Sequence, residues 1–325
     1  MSSNILDRVK LVNDKPINEA GEFILYWMIA TRRYNYNASL QFAADLAIKH
    51  NVPLLVIEEI STSHKFANDR IATFMIQGMV ENISTFRDNK IRYIPWVETP
   101  LSGPIGLLKQ IAQRATIVVS DDFPTYYPQR AIKAASESVP VQMYAVDSNG
   151  VIPMSWTESA HSTAHGFRRW IHNNFAKCPE TWPLRDPIKN NSGLTMDDKL
   201  FSSIMDDCSV KLPPFEWLWR CSEGGSVGKK ALSAIDIDHE VEPVRMATGG
   251  RTTAKRKLSS FLTNSLERYH LDRNSVENSA VSGLSPWLHF GHISSVEIVE
   301  QILEQSDWTP DHIDMSRKGS REGWW

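Results

Sequence analysis

Phe23-Ile24-Leu25-Tyr26-Trp27-Met28-Ile29-Ala30 is a continuous apolar run of strand length. A strand that is apolar toward both faces must be covered on both, as a central strand of a parallel sheet is. Further runs follow at 53–57, 91–97, 116–119 and 141–146. Helical stretches separate them at 38–50, 66–87, 104–114 and 128–139. In 66–87, Ile71, Phe74, Met75, Met79 and Ile83 recur at helical spacing, and Asn51 offers a stop for 38–50. Strict strand–helix alternation predicts a doubly wound, five-stranded parallel sheet with helices on both faces.

No GxGxxG follows the first strand, so the usual dinucleotide fingerprint is absent. Ligands of such sheets gather at the carboxyl ends of strands. Those ends are Ala30-Thr31-Arg32-Arg33, Glu58-Glu59 and Ser120-Asp121-Asp122. Loops are polar in any case, so a structural role is the plainer reading of each.

A length of 325 residues leaves room for two domains. A net charge of −3 excludes the whole molecule as an electrostatic nucleic-acid binder, but not a local basic groove. Cys178, Cys208 and Cys221 show no CxxC spacing, which points to a reducing compartment and a cytoplasmic protein. The first residues lack the apolar core of a signal peptide, and no apolar run is long enough to cross a bilayer. The 11 tryptophans fit core packing, or the sharper roles of electron relay and base stacking.

Residues 1–22 read as a polar, irregular arm. Within 160–175, His161, His165 and His172 could share a helical face. No carboxylate or cysteine stands at ligand spacing, so a basic solvated face is preferred to a metal site. Residues 179–243 are rich in Pro, Trp and polar residues and read as a connector wrapping the surface, with a turn at Gly224-Gly225-Ser226. After Gly249-Gly250, residues 251–266 form an amphipathic helix. Its polar face carries Arg251, Lys255, Arg256 and Lys257, read as a solvated face rather than a phosphate track.

The sharpest chemical feature is the stretch 279–294. Ser285 suits an N-cap and Pro286 a first helical position, with a helical pattern onward to about Gln305. Ser282 and Gly283 are small enough to let a ligand reach the backbone. Free amides at a helix start make phosphate the natural guest, although most such starts bind nothing.

Leu284-Ser285-Pro286-Trp287-Leu288-His289-Phe290-Gly291-His292-Ile293-Ser294 resembles the flavin-binding signature of the photolyase and cryptochrome family, nearest to its class II cyclobutane pyrimidine dimer photolyases. Tyr269, followed by Arg273-Asn274, precedes it at the family's spacing, and Arg8-Val9-Lys10-Leu11 with Pro16 resembles the class II lead-in. The resemblance implies a Rossmann-like antenna-type domain over 23–178, holding a deazaflavin or folate. A connector over 179–243 would lead to an all-helical FAD-binding domain from 244. That domain is expected to be incomplete, because relatives continue into further helices and Gly323-Trp324-Trp325 does not read as a natural end. The second domain would then expose apolar surface.

FAD would be held by Tyr269, Val281, Ser282, Gly283, Leu284 and Ser285, and DNA touched by Arg273. No catalytic residue and no metal is implied. Val281 departs from the hydroxyl residue of many relatives, a loss of about 1 kcal/mol if unreplaced. Residues 31–37 also depart from the class II pattern. The implied function is light-driven splitting of cyclobutane pyrimidine dimers in UV-damaged DNA by a monomer. Two rivals stand: a blue-light photoreceptor without repair activity, and a truncated fragment without bound FAD.

Overall fold

The computed structural model describes residues 4–62, 64–99, 106–189, 193–208, 212–305 and 309. The end at 323–325 and the start of the expected 104–114 helix lie outside them.

The first half is a six-stranded sheet. Its strands are β1 (Val9–Leu11), β2 (Phe23–Met28), β3 (Leu54–Ile60), β4 (Arg92–Val97), β5 (Ala115–Asp122) and β6 (Met143–Asp147), in the order β1-β6-β5-β2-β3-β4. The expected five strands are all present and parallel. The sixth, β1, corrects the reading of 1–22 as wholly irregular, since it pairs antiparallel with β6 at the edge. A strand of three residues, one half-buried and two exposed, has too little apolar pattern to be read from sequence.

All of β2 is buried, and its alternation splits the core in two. Phe23, Leu25 and Trp27 face one apolar layer with residues of α3 (Leu107–Ala112), α4 (Tyr126–Ser138) and α6 (Asp198–Asp207). Ile24, Tyr26 and Met28 face the other, with α1 (Ala38–His50) and Phe86 of α2 (Asp69–Asp88). Asn37 caps α1 by accepting from Leu40 N at 2.8 Å, and Asn51 ends it in the left-handed region.

Asp121, at the carboxyl end of β5, fixes the chain that leaves β2. Its buried carboxylate accepts from the amides of Ile29, Ala30 and Thr31 at 3.0, 2.8 and 2.8 Å. It also takes the hydroxyls of Tyr26 and Ser39, at 2.8 and 2.7 Å. Arg32 is likewise bound to Glu58 at 3.1 Å. Asp121, Arg32 and Glu58 are therefore taken up by bonds within the fold.

The second half departs more from expectation. The segment read as a surface connector contains three helices: α6, α7 (Phe215–Ser222) and α8 (Gly225–Leu232). Leu218, Cys221 and Leu232 pack on Ala72, Met75, Ile76 and Met79 of α2. The supposed turn at Gly225 opens α8 instead. Helix α5 (Ala164–Phe175) buries no residue, and His161 packs its ring on Phe167 and Trp170 at 5.4 and 5.5 Å. Among the described residues no helix is long and apolar enough to cross a membrane, and no group of three or more His, Cys, Asp or Glu could hold a metal ion.

The last helices are α9 (Arg251–Asn264), α10 (Tyr269–Asp272), α11 (Ser285–His289) and α12 (Ser295–Gln305). The helix expected from Pro286 to Gln305 is thus broken into α11 and α12, at Gly291, whose φ of +72° is left-handed. Arg251 is not part of the solvated face, because its guanidinium forms a two-pronged pair with buried Glu297.

Asp121→Ala leaves the amides of Ile29, Ala30 and Thr31 without their acceptor and the Tyr26 and Ser39 hydroxyls with only longer bonds, to Asn37 Oδ1 at 3.4 Å and Val146 O at 3.3 Å. It is expected to cost at least about 3 kcal/mol, read as a lower urea midpoint.

Candidate functional site

The stretch 281–294 divides into two parts with different physical roles. Phe290 to Ser294 is a latch onto the sheet. A Cβ at Gly291 would overlap the carbonyl of Ala30 and press on Arg32 N, so only glycine lets this turn sit on the end of β2. Arg33 Nη1 donates to Gly291 O at 3.0 Å, and Nη2 donates to the carbonyls of Tyr36 and Ser148, both at 3.1 Å. Burial lowers the Arg33 pKa to about 10.

His292 is wholly buried beside this turn. Its Nδ1 accepts from Gly250 N at 3.0 Å, and its ring stacks on Phe74 at 5.1 Å. The ring lies against Gly78, which has no side chain to displace it. Burial pushes the imidazole down to about 3, with Arg32 and Arg33 adding to the effect. A neutral histidine at Nδ1 is what the bond from Gly250 requires. Ser294 closes the turn, accepting from Val296 N at 3.2 Å.

Residues 281–285 form an open bend. Gly283 has φ +61° and is half-buried, as is Ser282, while Val281 and Ser285 are exposed. Leu284 anchors the bend from within. Its side chain is 1% exposed and packs in one apolar cluster with Ala254, Leu258, Phe261 and Trp287. Burying such a side chain contributes about 2 kcal/mol. Leu284 can therefore meet a ligand only through its backbone. Trp287 joins the cluster and donates from Nε1 to Thr248 O at 3.0 Å, so this tryptophan is core.

The expected cap is shifted. Leu284, not Ser285, occupies the N-cap position, with helical φ and ψ of −84° and −4° and no side-chain hydrogen bond. The helix that follows has five residues, too short for its dipole to supply much positive potential.

Tyr269 and Arg273 stand beside the bend. Ala280 N donates to Asp272 O at 3.4 Å, which ties α10 to the bend. The Tyr269 ring packs edge-on against Phe261 at 5.8 Å. Arg273 is exposed and lies over the Tyr269 ring at 5.9 Å, without an ion pair among the described residues. Leu271 and Val276 are 71% and 97% exposed nearby.

Ser285 also lines a cavity of about 480 Å³ with Ala30, Arg33, Ser148, Asn149 and His289. It lies at the carboxyl ends of β2, β5 and β6, where the strand order reverses. Arg33 Nε is buried there and lacks a hydrogen-bond partner. Sequence reasoning missed Arg33 and His292 as joint residues. Lys257 is exposed, as read from sequence, and its side-chain tip lies over Gly283.

The fold is a doubly wound α/β unit with a helical segment laid on its carboxyl end. The chain resembles a class III photolyase from Agrobacterium tumefaciens over 91% of its own length and 55% of that chain, with a TM-score of 0.59 and 17% identity. A cryptochrome from Synechocystis sp. gives a TM-score of 0.56 at 15% identity, over 93% of this chain and 58% of that one. In sequence, the chain is 24% identical over 302 residues to a deoxyribodipyrimidine photo-lyase of Methanothermobacter thermautotrophicus, covering 93% of this chain and 60% of the relative. It is 24% identical over 315 residues to that of Potorous tridactylus, covering 94% and 53%, and 25% identical over 322 residues to that of Arabidopsis thaliana, covering 92% and 57%. No family model matches the chain. The solved structures show a shared fold, the sequence matches are to proteins named deoxyribodipyrimidine photo-lyase, and the chain spans little more than half the length of those relatives.

The latch predicts a pH dependence. Unfolded His292 takes a proton near 6.5 and folded His292 only near 3. Between these values the unfolded state holds more protons, so stability is full above 6.5 and falls as pH falls. The slope is on the order of 1 kcal/mol per pH unit. His292→Gln is expected to flatten the fall in denaturant midpoint between pH 6.5 and 4.

Proposed function

We propose that this chain holds the diphosphate end of FAD at the bend 281–285 and serves a light-driven, class II-like repair of cyclobutane pyrimidine dimers in DNA. The observation that carries the reading is the bend itself. It is anchored from below by Leu284, open at Ser282, Gly283 and Ser285, and faced by a cation. Gly283 brings no side chain of its own to the bend and the Lys257 ammonium lies beside it, so the residues present fit a phosphate group. In this reading residues 23–178 form the antenna-type domain, 179–243 the connector and 244 onward the start of the flavin-binding domain.

Reduced FAD, when bound and lit by blue light, supplies the electron that opens the dimer and takes it back afterwards. The chain supplies the rest. Amides and hydroxyls of Ser282, Gly283 and Ser285 would orient the diphosphate, and Tyr269 would wall the ribityl region. Val281 and the buried cluster beneath it would keep water from that side. Arg273, exposed and without a carboxylate partner among the described residues, would meet a DNA phosphate beside a lesion flipped out of the duplex. The 480 Å³ cavity, with the unpaired Arg33 Nε, offers a place for a deazaflavin or folate antenna.

Purified protein mixed with FAD is expected to retain a flavin absorbance near ~450 nm after gel filtration. With reductant and blue light it is expected to restore thymine-dimer DNA, and to leave it unchanged in the dark. A flavin-loaded protein without repair would favour the photoreceptor reading. A colourless protein would refute flavin binding.

A further inference from the structure

Helix α9 exposes three consecutive cations, Lys255, Arg256 and Lys257. Lys257 is laid against the bend. A Cβ built on Gly283 would stand 2.6 Å from Lys257 Cε and 3.1 Å from Nζ. The lysine stem thus occupies the space that any other residue at 283 would claim. Lys257 makes no ion pair among the described residues, although acidic residues outnumber basic ones in the chain. An exposed ammonium beside the bend, without a carboxylate partner among the described residues, gives that spot a positive potential.

Other sources of positive charge at the bend are weak. Helix α11 has five residues and no side-chain cap bond. The nearest other helix, α10, has four. Arg251 is neutralised by Glu297 and Arg268 by Asp272. Arg273 keeps its charge, but its guanidinium lies over the Tyr269 ring at 5.9 Å rather than against Gly283. Attraction of an anion to 281–285 therefore falls on Lys257, with the Ser282 and Ser285 hydroxyls supplying direction.

We infer that Lys257 is the charge that captures a diphosphate at this bend, and that it selects a dinucleotide over the unphosphorylated flavin. The inference rests on the reading of the bend as the flavin-diphosphate site, and it gives Gly283 a second role. Besides allowing φ +61°, the missing side chain lets the lysine cross the bend and reach the anion.

The test is titration of flavin-free protein with FAD, ADP-ribose and riboflavin at low and high salt. ADP-ribose carries the diphosphate without the flavin, and riboflavin the flavin without phosphate. Lys257→Met is expected to weaken FAD and ADP-ribose about tenfold and to leave riboflavin unchanged. The salt dependence of FAD binding is expected to shrink in the same variant. Lys257→Arg is expected to stay within a few fold of wild type, because the charge is kept. Lys257 is exposed, so thermal melting should match wild type and exclude misfolding as the cause. Unchanged FAD affinity in Lys257→Met, or an equal loss for all three ligands, overturns the inference while leaving the flavin site standing. Wild-type protein that binds neither FAD nor ADP-ribose overturns both.

Discussion

The contact between the 290–294 turn and the end of β2 is the constraint on which the rest depends. The turn approaches backbone to backbone, because Gly291 has no side chain to hold it away from Ala30. Arg33 then spans the gap and bonds carbonyls from three places in the chain, at 36, 148 and 291. The loop that carries Arg33 is in turn held by the Asp121 carboxylate. A buried guanidinium bound only to carbonyls is tolerable when most of its donors are satisfied, and removing one carbonyl position would leave it exposed to the full cost of desolvation.

From that joint the candidate site follows. His292 and Phe74 tie the turn to α2, and Gly250 ties α9 to His292. The start of α9 is held again by Glu81, which accepts from Thr252 N at 2.9 Å. α9 thereby has a fixed position, which places Lys257 across Gly283. Leu284 and Trp287 fill the space between α9, α11 and Phe74. The open bend is the surface end of a chain of contacts that begins in the sheet.

This arrangement gives one stretch of sequence two functions. Within 281–285, Ser282, Gly283 and Ser285 remain accessible while Leu284 is buried. Residues 290–294 are consumed by packing, with Gly291, His292, Ile293 and Ser294 all buried. The exposed basic residues sort in the same way. Arg251 serves the fold through Glu297, whereas Lys257 and Arg273 keep their charge free of carboxylates among the described residues.

The sequence by itself determined the sheet core, its parallel sense and the helices over it, because apolar runs and helical periods are local patterns set by burial. It also located the bend, since Ser282, Gly283 and Pro286 restrict backbone shape within a few residues. It did not contain the antiparallel β1, the helices of 198–232 packed on the α/β unit, or the break at Gly291. Each of those depends on a partner distant in sequence: β6 for β1, α2 for α7 and α8, Ala30 for Gly291. Which cation faces the bend was decided only in three dimensions. Lys255, Arg256 and Lys257 are equivalent in charge, and only the place where the bend lies against α9 separates them.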